Sequence, residues 1–336
     1  MSLASAPLIA VEEATCGICG ASRHRPYAVS ADYEYETCRN EWTFVECLDC
    51  GTIYLHPRPA AGALATIYPA NYYSYAYDQR INAVARRAKD WLDRRRLVWM
   101  LGLLGRPLGA YLDVGCGNGR YLEAVAALGT PHERIYGLEL DAGVVERLRG
   151  AGFAVERATL EDAALPEGHF DLITLFSVLE HVSSPAAVLT RAARLLAPGG
   201  LLVAEVPNPR SLNARLFRHR YWGGYHTPRH WNLFTLGALS SAASRAGLSL
   251  RAFRRTTGHA FWLFSLHHYL RYRLGWDRLA RWLHPARCLP GVAVATAVDL
   301  VRARFGGETD NMLVVLERVP VDQGGEAPRS SVRATA

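Results

Sequence analysis

Apolar and polar residues follow two different periods along residues 108–257. Short apolar runs bounded by glycine, proline or acidic residues predict strands, whereas stretches with apolar residues three and four positions apart predict helices. Because the two kinds of segment alternate over short connections, the sequence predicts an α/β fold with a parallel, doubly wound sheet and helices on both faces. The predicted strands are 111–114, 134–141, 153–157, 170–177, 201–207, 248–256 and 311–318.

Two helices can be given particular roles from the same pattern. Residues 81–99 predict an amphipathic helix that packs on the sheet ahead of the first strand, with arginines on its other face. The apolar face of that helix is predicted to carry Ile81, Val84, Ala85, Ala88, Trp91, Leu92, Val98 and Trp99. After the second strand, Asp141 is assigned as the N-cap of a helix over 142–149, and Gly150 as the residue that closes it.

The connection after the first strand is rich in glycine. Gly115, Gly117 and Gly119 have no Cβ atoms where the chain must turn sharply, so backbone N–H groups and a helix N-terminus can approach a bound small molecule. Arg120 stands where a dinucleotide-binding turn has its third glycine. Asp113 places a carboxylate in the floor of the turn, which disfavours a pyrophosphate and favours a cationic group.

The segment Asp113-Val-Gly-Cys-Gly-Asn-Gly119 resembles the first motif of the class I S-adenosylmethionine-dependent methyltransferases. The order of the segments over about residues 108–256 is similar to that family as well, particularly to the group containing ubiquinone-pathway O-methyltransferases. The resemblance implies a Rossmann-like, seven-stranded sheet and S-adenosylmethionine as the cofactor. It implies cofactor contacts at Asp113, Gly115, Cys116, Gly117 and Gly119.

Further cofactor contacts are predicted downstream of the glycine turn. Glu139 ends the second strand about twenty residues after the turn, where a carboxylate of this kind of unit accepts both ribose hydroxyls. The resemblance implies that Leu160 covers the adenine ring and that Glu161 or Asp162 lies near its exocyclic amine. Phe176, at the end of the fourth strand, completes the predicted cofactor site.

Two C-x-x-C pairs precede this region. Cys16, Cys19, Cys47 and Cys50 have the spacing of a zinc ribbon, in which two turns together present four thiolates to a tetrahedral Zn²⁺ ion. A Cys₄ site has no open position for water, so we predict that this metal is structural. Cys38 has no partner at ligand spacing and is predicted to be a small buried hydrophobe.

A tyrosine-rich linker follows the cysteine pairs. The ribbon, a Pro-Arg-Pro segment and this linker together resemble the N-terminal zinc-binding module of some bacterial small-molecule methyltransferases, including sugar-modifying ones. The tyrosines could form a wall facing the substrate or pack against the main domain. These residues are Tyr72, Tyr73, Tyr75 and Tyr77.

Composition limits the classes of function. The chain has 336 residues, 50% of them hydrophobic, and a formal net charge of +7, which is modest for this length. Arginines are spread along the chain, and acidic residues balance the basic ones between the cysteine pairs, so nucleic-acid binding is disfavoured. The sequence shows no secretion signal and no apolar run of about 18 residues, so we expect a cytoplasmic protein with reduced thiols.

Histidines supply the candidates for acceptor chemistry. His181, just past the fourth strand, is the first candidate for a general base, with Glu180 orienting it. His226 and His230 are the alternatives, and methyl transfer without a protein base also stays open. Both lie in residues 222–231, whose composition predicts a flexible lid over a small-molecule cleft.

The predicted boundaries divide the chain into a core and its additions. The core comprises 108–257 and a last strand at 310–320. The additions are a flexible start (1–12), the zinc ribbon (13–58), a linker and helix (59–107), a helical insertion (258–309) and a disordered tail (321–336). The insertion could be a cap, a dimer contact or, through 258–304, a peripheral membrane contact, and the oligomeric state stays open.

We therefore predict a methyltransferase that acts on a small-molecule acceptor. After the fourth strand, Ser177-Val-Leu-Glu-His181 replaces the Asn/Asp-Pro-Pro-aromatic motif common in nitrogen methylation, which favours an oxygen acceptor such as a sugar, phenol or quinone hydroxyl. Two alternatives remain: an RNA methyltransferase with a zinc-finger module, and a non-catalytic scaffold that keeps the cofactor fold.

Overall fold

The computed structural model describes residues 3–69, 72, 83–285 and 287–319. Its strands are β1 (Val11–Glu12), β2 (His24–Ser30), β3 (Trp42–Cys47), β4 (Ile53–Leu55), β5 (Arg58–Pro59), β6 (Tyr111–Val114), β7 (Ile135–Leu138), β8 (Ala154–Glu156), β9 (Phe170–Phe176), β10 (Leu196–Pro207), β11 (Asn232–Leu233), β12 (Leu248–Thr256) and β13 (Asn311–Arg318). Its α-helices are α1 (Leu64–Ile67), α2 (Ala83–Leu104), α3 (Arg120–Ala126), α4 (Ala142–Gly150), α5 (Pro185–Leu195), α6 (Leu212–Phe217), α7 (Leu236–Arg245), α8 (His259–His268), α9 (Asp277–Trp282) and α10 (Leu289–Arg304).

Some predictions fall outside the described residues. They concern the tyrosines of the linker other than Tyr72, the tail 321–336, and the first residues assigned to the apolar face of the helix over 81–99. The residues in question on that face are Ile81 and the side chains of Val84, Ala85 and Ala88.

Seven of the described strands form the central sheet in the order β12-β13-β10-β9-β6-β7-β8. The strands from β10 to β8 run parallel, and β13 is antiparallel to both of its neighbours. The doubly wound sheet predicted from the alternating pattern is therefore confirmed, with one reversed strand near an edge. All seven predicted strand segments are present, with ends that differ by a few residues.

The order of the parallel strands determines where a ligand site can form. β6 occupies the centre, between β9 on one side and β7 on the other. The chain leaves β6 toward β7 and later returns to β9, so the winding direction reverses at β6. Crevices beyond the carboxyl ends of strands at such a reversal are where ligands bind in open α/β sheets.

Helix α2 buries a different face from the one predicted. Its buried residues are Asp93, Leu97, Met100 and Leu104. The predicted face is instead exposed at Trp91 (57%), Leu92 (57%) and Val98 (52%). The reason is a charge pair: Arg96 turns toward the sheet, where its Nη1 donates to Glu205 Oε2 of β10 at 2.7 Å. This pair and the Leu97 stripe fix the rotation of the helix.

The N-terminal module is a four-stranded antiparallel sheet of order β11-β4-β3-β2. Strand β11 comes from the distant segment that follows residues 222–231, and it pairs with β4. The predicted flexible start is partly attached to the module, because β1 pairs with β5 and the Ile9 N–H donates to Asn40 Oδ1 at 2.9 Å.

The module and the central sheet share one apolar core. Cys16 and Ile18 of the module belong to the same buried cluster as Leu179 and Leu189 beside the sheet. The N–H of Ala186, in α5, donates to the Gly17 carbonyl at 3.2 Å. The turn that contains Cys16 and Cys19 therefore packs directly against the N-terminal end of α5.

Helix α8 packs against residues 222–231, and α10 is attached to α8. The Asp299 carboxylate, buried in α10, accepts from the Gly258 N–H at 2.8 Å and from Trp262 Nε1 at 3.2 Å, which anchors α10 to α8. The Gly223 N–H donates to Ser265 Oγ of α8 at 2.8 Å. Within the described ranges, none of the helices combines the length and the apolar character needed to cross a bilayer.

Candidate active site

The glycine turn joins β6 to α3 at the carboxyl edge of the sheet. All three glycines have a positive φ, which residues with a Cβ adopt only with strain. A Cβ at Gly117 would meet no atom within 4 Å, so the turn leaves open space beside its backbone. A Cβ at Gly115 would lie 2.9 Å from Val178 Cγ2, which places the segment after β9 directly against the turn.

Glu139 faces this turn as predicted from its position after β7. Its Oε2 accepts from the Gly117 N–H at 2.9 Å, and its Oε1 accepts from the N–H groups of Leu140 at 2.7 Å and Asp141 at 3.1 Å. These bonds hold the carboxylate at the open side of the turn, the arrangement needed to accept sugar hydroxyls. Asp141 caps α4 as predicted, since its Oδ1 accepts from the Val144 N–H at 2.8 Å.

Asp113 is the buried acid at the end of β6. Its Oδ1 accepts from Thr174 Oγ1 at 2.7 Å, and that hydroxyl also contacts the Tyr111 hydroxyl at 2.7 Å. Burial raises the pKa of Asp113 to about 7. A cation bound beside Asp113 would stabilise the ionised form, which fits the ammonium and sulfonium groups of S-adenosylmethionine.

The remaining predicted cofactor residues occupy different environments. Leu160 is buried and Glu161 is exposed. Cys116 is buried, and burial raises the pKa of its thiol. Phe176 is half-buried against the ring of Tyr121, with 4.5 Å between the ring centroids.

Glu180 and His181 follow β9, in the same segment as Val178, which contacts the glycine turn. Glu180 is fully buried, and burial raises the pKa of its carboxyl to about 8. Neither carboxyl oxygen makes a hydrogen bond of standard geometry with another described residue, and His230 Nε2 is 4.0 Å from Oε1. The predicted orienting bond from Glu180 to His181 is therefore not formed.

His181 and His230 are both held by backbone carbonyls. His181 Nδ1 lies 3.1 Å from the Arg229 carbonyl, and His230 Nδ1 lies 2.9 Å from the Gly224 carbonyl. Because a carbonyl oxygen only accepts, each Nδ1 carries the proton and each Nε2 keeps its lone pair. Burial lowers the pKa of His181 to about 3 and that of His230 well below its usual value, so both rings are neutral at pH 7.

These two histidines and Glu180 form a compact acid–imidazole cluster. One polar atom from each lies within 4.8 Å of the others, close enough to exchange protons or share a cation. The His181 ring also contacts the linker, since the Tyr68 hydroxyl is 3.1 Å from its Nδ1.

His226 differs from the other two because a carboxylate contacts its Nδ1. That carboxylate is Glu34 of the N-terminal module, with Oε2 at 2.5 Å from Nδ1. On the opposite side, His226 Nε2 lies 3.3 Å from the hydroxyl of Tyr72. The side chains of Glu34 and His226 are 7% and 4% exposed, so the pair is shielded from water.

The segment predicted as a flexible lid is a buried wall. Its buried residues are Trp222, Tyr225, His226, Thr227, Arg229 and His230. Arg229 is fully buried, and its two Nη atoms donate to the carboxylate of Asp32 at 3.1 and 3.2 Å. The Trp231 N–H donates to the Glu180 carbonyl at 2.7 Å, and β11 then joins the module sheet. Module, wall and core are therefore fastened to one another at the site.

Sequence reasoning missed Glu34 and Asp32. Both were counted only as part of the charge balance between the cysteine pairs. Their partners lie 192 and 197 residues away along the chain, so no local spacing reveals them. The one signal in the sequence was the presence of acidic residues in the segment between β2 and β3.

The four predicted metal ligands converge. The Sγ atoms of Cys16 and Cys50 are 3.4 Å apart, those of Cys19 and Cys47 are 3.5 Å apart, and all four lie within 4.8 Å of one another. Zn–S bonds of about 2.3 Å in a tetrahedron place sulfur atoms about 3.8 Å apart, so the four thiols match the geometry of a Cys₄ centre. Cys38 lies elsewhere, buried in a separate apolar cluster of the module.

The sequence and the fold place this chain among known proteins. The family model described as "Methyltransferase domain" matches residues 79–252. A ubiquinone biosynthesis O-methyltransferase of Psychrobacter arcticus is 33% identical over 162 residues, covering 44% of this chain and 57% of that protein. One from Thiobacillus denitrificans is 38% identical over 117 residues, covering 33% and 46%. The chain spans about half the length of the curated relatives it matches.

Among solved structures, a S-adenosylmethionine-dependent methyltransferase from Archaeoglobus fulgidus aligns with 68% of this chain and 94% of its own, at 17% identity and a TM-score of 0.44. The family match covers more than half of the chain, including the glycine turn, Glu139 and the segment after β9. The chain belongs to the methyltransferase-domain family, and its core is that of a class I S-adenosylmethionine-dependent methyltransferase.

Proposed function

We propose that this protein transfers the methyl group of S-adenosylmethionine to a hydroxyl oxygen of a small-molecule acceptor. The observation that carries the proposal is the position of Glu139, whose carboxylate is held at the open glycine turn by the Gly117 N–H. Asp113 provides a second carboxylate at the cationic end of such a ligand.

The acceptor side supports oxygen as the nucleophile. Imidazoles and tyrosine hydroxyls contact each other beyond β9, and such groups can accept or relay the proton that a hydroxyl must lose. The curated relatives are named as O-methyltransferases, which agrees with an oxygen acceptor.

The cofactor, when bound, supplies both the electrophilic methyl group and its leaving group. The protein is left with three tasks: to hold the acceptor oxygen in line with the methyl–sulfur bond, to exclude water and to take up a proton. The buried wall of residues 222–231, together with Tyr68 and Tyr72, serves the first two tasks.

We also propose that the Cys₄ centre holds a structural Zn²⁺ ion. Four sulfur ligands saturate a tetrahedral ion, so its role is to fold the module that packs against the site. Its removal is expected to disturb the acceptor side while the glycine turn stays intact.

Calorimetry with S-adenosylmethionine and S-adenosylhomocysteine tests the first step. We expect binding that Gly117→Val and Glu139→Ala weaken by more than tenfold. Transfer of a radiolabelled methyl group to catechol, as a probe hydroxyl acceptor, tests the second step. The absence of heat with both nucleosides would contradict the proposal and favour a scaffold role, whereas salt-sensitive binding of RNA would favour the RNA alternative.

A further inference from the structure

A short part of the zinc module enters the candidate active site. This segment, residues 32–36, lies between the two cysteine pairs and contacts the buried wall, the linker and the C-terminal helices. Its contacts are Asp32 with Arg229, Glu34 with His226, Tyr35 with the rings of Tyr72 and His226, and Glu36 with the Tyr272 hydroxyl.

We propose that the zinc module supplies a positioning residue for the reaction: Glu34 holds His226 so that its Nε2 takes the acceptor's proton through the Tyr72 hydroxyl. The inference rests on the proposed methyl transfer to oxygen. It assigns to the module a part in the chemistry beyond its structural metal.

The direction of the hydrogen bonds supports this relay. An ionised carboxylate only accepts, so His226 Nδ1 carries the proton that Glu34 Oε2 receives. In the neutral ring with its proton on Nδ1, Nε2 carries the lone pair, and the atom 3.3 Å from it is the Tyr72 hydroxyl. Glu34, His226 and Tyr72 are connected by two consecutive contacts, along which a proton can move toward the module.

The backbone at His226 gives an independent indication. Its φ is 38°, in the left-handed region that residues with a Cβ adopt only with strain. Such a conformation persists only where the surroundings fix it, and here it points the ring between Glu34 and Tyr72.

The other two histidines are less suited to accept a proton. Each has a backbone carbonyl at Nδ1, which orients the ring but does not neutralise an imidazolium. Burial holds the pKa of His181 near 3. Only His226 among the three has an anionic partner at Nδ1 in the described structure, so a positive charge on its ring would be compensated.

The proton balance of the step is complete. The acceptor oxygen forms a bond to the methyl carbon as the carbon–sulfur bond breaks, and the sulfonium takes the bonding pair and becomes a neutral thioether. The acceptor's proton passes to the Tyr72 oxygen while the Tyr72 proton passes to His226 Nε2. The resulting imidazolium is paired with Glu34 until the proton is released to water.

The pH dependence of this relay depends on every group that faces His226. From the module these groups are Glu34 and Tyr35, and from the linker Tyr72. The others are His181 after β9, Arg229 and His230 of its own loop, and His268 of α8. The Glu34 carboxylate contacts the ring directly, at Nδ1.

The test compares Glu34→Gln with Glu41→Gln in the full-length, zinc-loaded chain. Glu41 lies in the same module but pairs with Arg220 at the surface, where its side chain is 61% exposed. With catechol as the probe acceptor, we expect Glu34→Gln to lower kcat by about 10²-fold and Glu41→Gln to leave it unchanged. Affinity for S-adenosylmethionine and zinc content should stay the same, and Glu34→Asp should recover part of kcat.

A second measurement separates positioning from a structural role. In imidazole ¹H–¹⁵N spectra, the His226 Nδ1 proton should be strongly downfield in the wild type and in Glu41→Gln, and shifted upfield in Glu34→Gln. Tyr72→Phe should lower kcat while the Nδ1 proton signal stays in place.

Two results would overturn the inference. The first leaves the proposed methyl transfer standing, and the second overturns it as well. If the wild type methylates catechol and Glu34→Gln does so within about twofold of it, the relay is wrong and methyl transfer stands. If the wild type shows no binding of S-adenosylmethionine, the proposed function fails and the relay with it.

Discussion

The cofactor half and the acceptor half of the candidate site are built in different ways. The cofactor half uses backbone groups and carboxylates at the ends of adjacent parallel strands, so its residues are close in sequence: Asp113 to Glu139 spans one strand–helix–strand unit. The acceptor half uses side chains from the module, the linker, the segment after β9 and the buried wall. Some residues that contact each other in this half are more than 100 positions apart, as Tyr68 and His181 are.

The difference has an energetic side. Backbone turns are stabilised by the sheet itself, whereas the acceptor half buries charges that must find each other across the fold. Arg229 with Asp32 is such a pair, and His226 with Glu34 is a buried hydrogen-bonded pair. Each is costly if one partner is missing. We therefore expect damage to the module to affect the acceptor half far more than the cofactor half.

Removal of the metal should have the largest effect and tests this comparison directly. A strong chelator, or Cys47→Ser, should unfold the module and displace residues 32–36, since structural zinc sites contribute folding energy outright. Methyl transfer to the catechol probe should fall by about 10²-fold or more. Binding of S-adenosylmethionine, measured by calorimetry, should change little, and equal loss of both would show that the halves are not separable.

Arg229→Met should be the most destabilising single change in the wall. It leaves the buried Asp32 carboxylate without its cation, which costs about 3–5 kcal/mol in comparable cases. Denaturant unfolding of the zinc-loaded chain measures this loss. Arg194→Met, which removes an exposed ion pair with Glu167, is the matched control with an expected loss of less than about 1 kcal/mol.

In the cofactor half, Glu139→Ala should weaken S-adenosylmethionine binding by about 1.5–3 kcal/mol, the value of charge-assisted hydrogen bonds. Glu146→Ala is a suitable control, because Glu146 is an exposed acidic residue of α4 that has no predicted role in cofactor binding. Calorimetry measures both. A Glu139→Ala chain that binds like the wild type would remove the ribose assignment.

Cofactor binding should depend on pH through Asp113. Its pKa is about 7 in the free protein, so the carboxyl becomes protonated as the pH falls, and a cationic ligand then has to displace that proton. Affinity should therefore decrease below about pH 7, by up to tenfold per pH unit. Asp113→Asn should bind more weakly at pH 8 and lose this dependence, whereas an unchanged slope would assign it to another group.

The smallest expected effect concerns α4, which follows Glu139. Asp141→Ala removes the side-chain bond to the Val144 N–H and should cost about 1 kcal/mol of stability. Because Glu139 is held by its own bonds to the backbone, S-adenosylmethionine affinity should change less than twofold. Thermal unfolding and calorimetry on the same sample separate the two quantities.

The sequence by itself determined the parallel sheet, the glycine turn, the cap at Asp141 and the cysteine ligand set. Each of these depends on residues within one or two consecutive elements, and local sterics and spacing specify them. The face of α2 was predicted wrongly, because apolar spacing gave no sign that Arg96 would turn inward to Glu205.

Only the tertiary structure decided the acceptor half. It showed that residues 222–231 form a buried wall, that Glu180 makes no standard hydrogen bond to His181, and that Glu34 reaches His226. Packing the module onto α5 and joining β11 to β4 bring these side chains together. The physical reason is that contacts between distant segments depend on how whole elements dock, which no periodicity along the chain records.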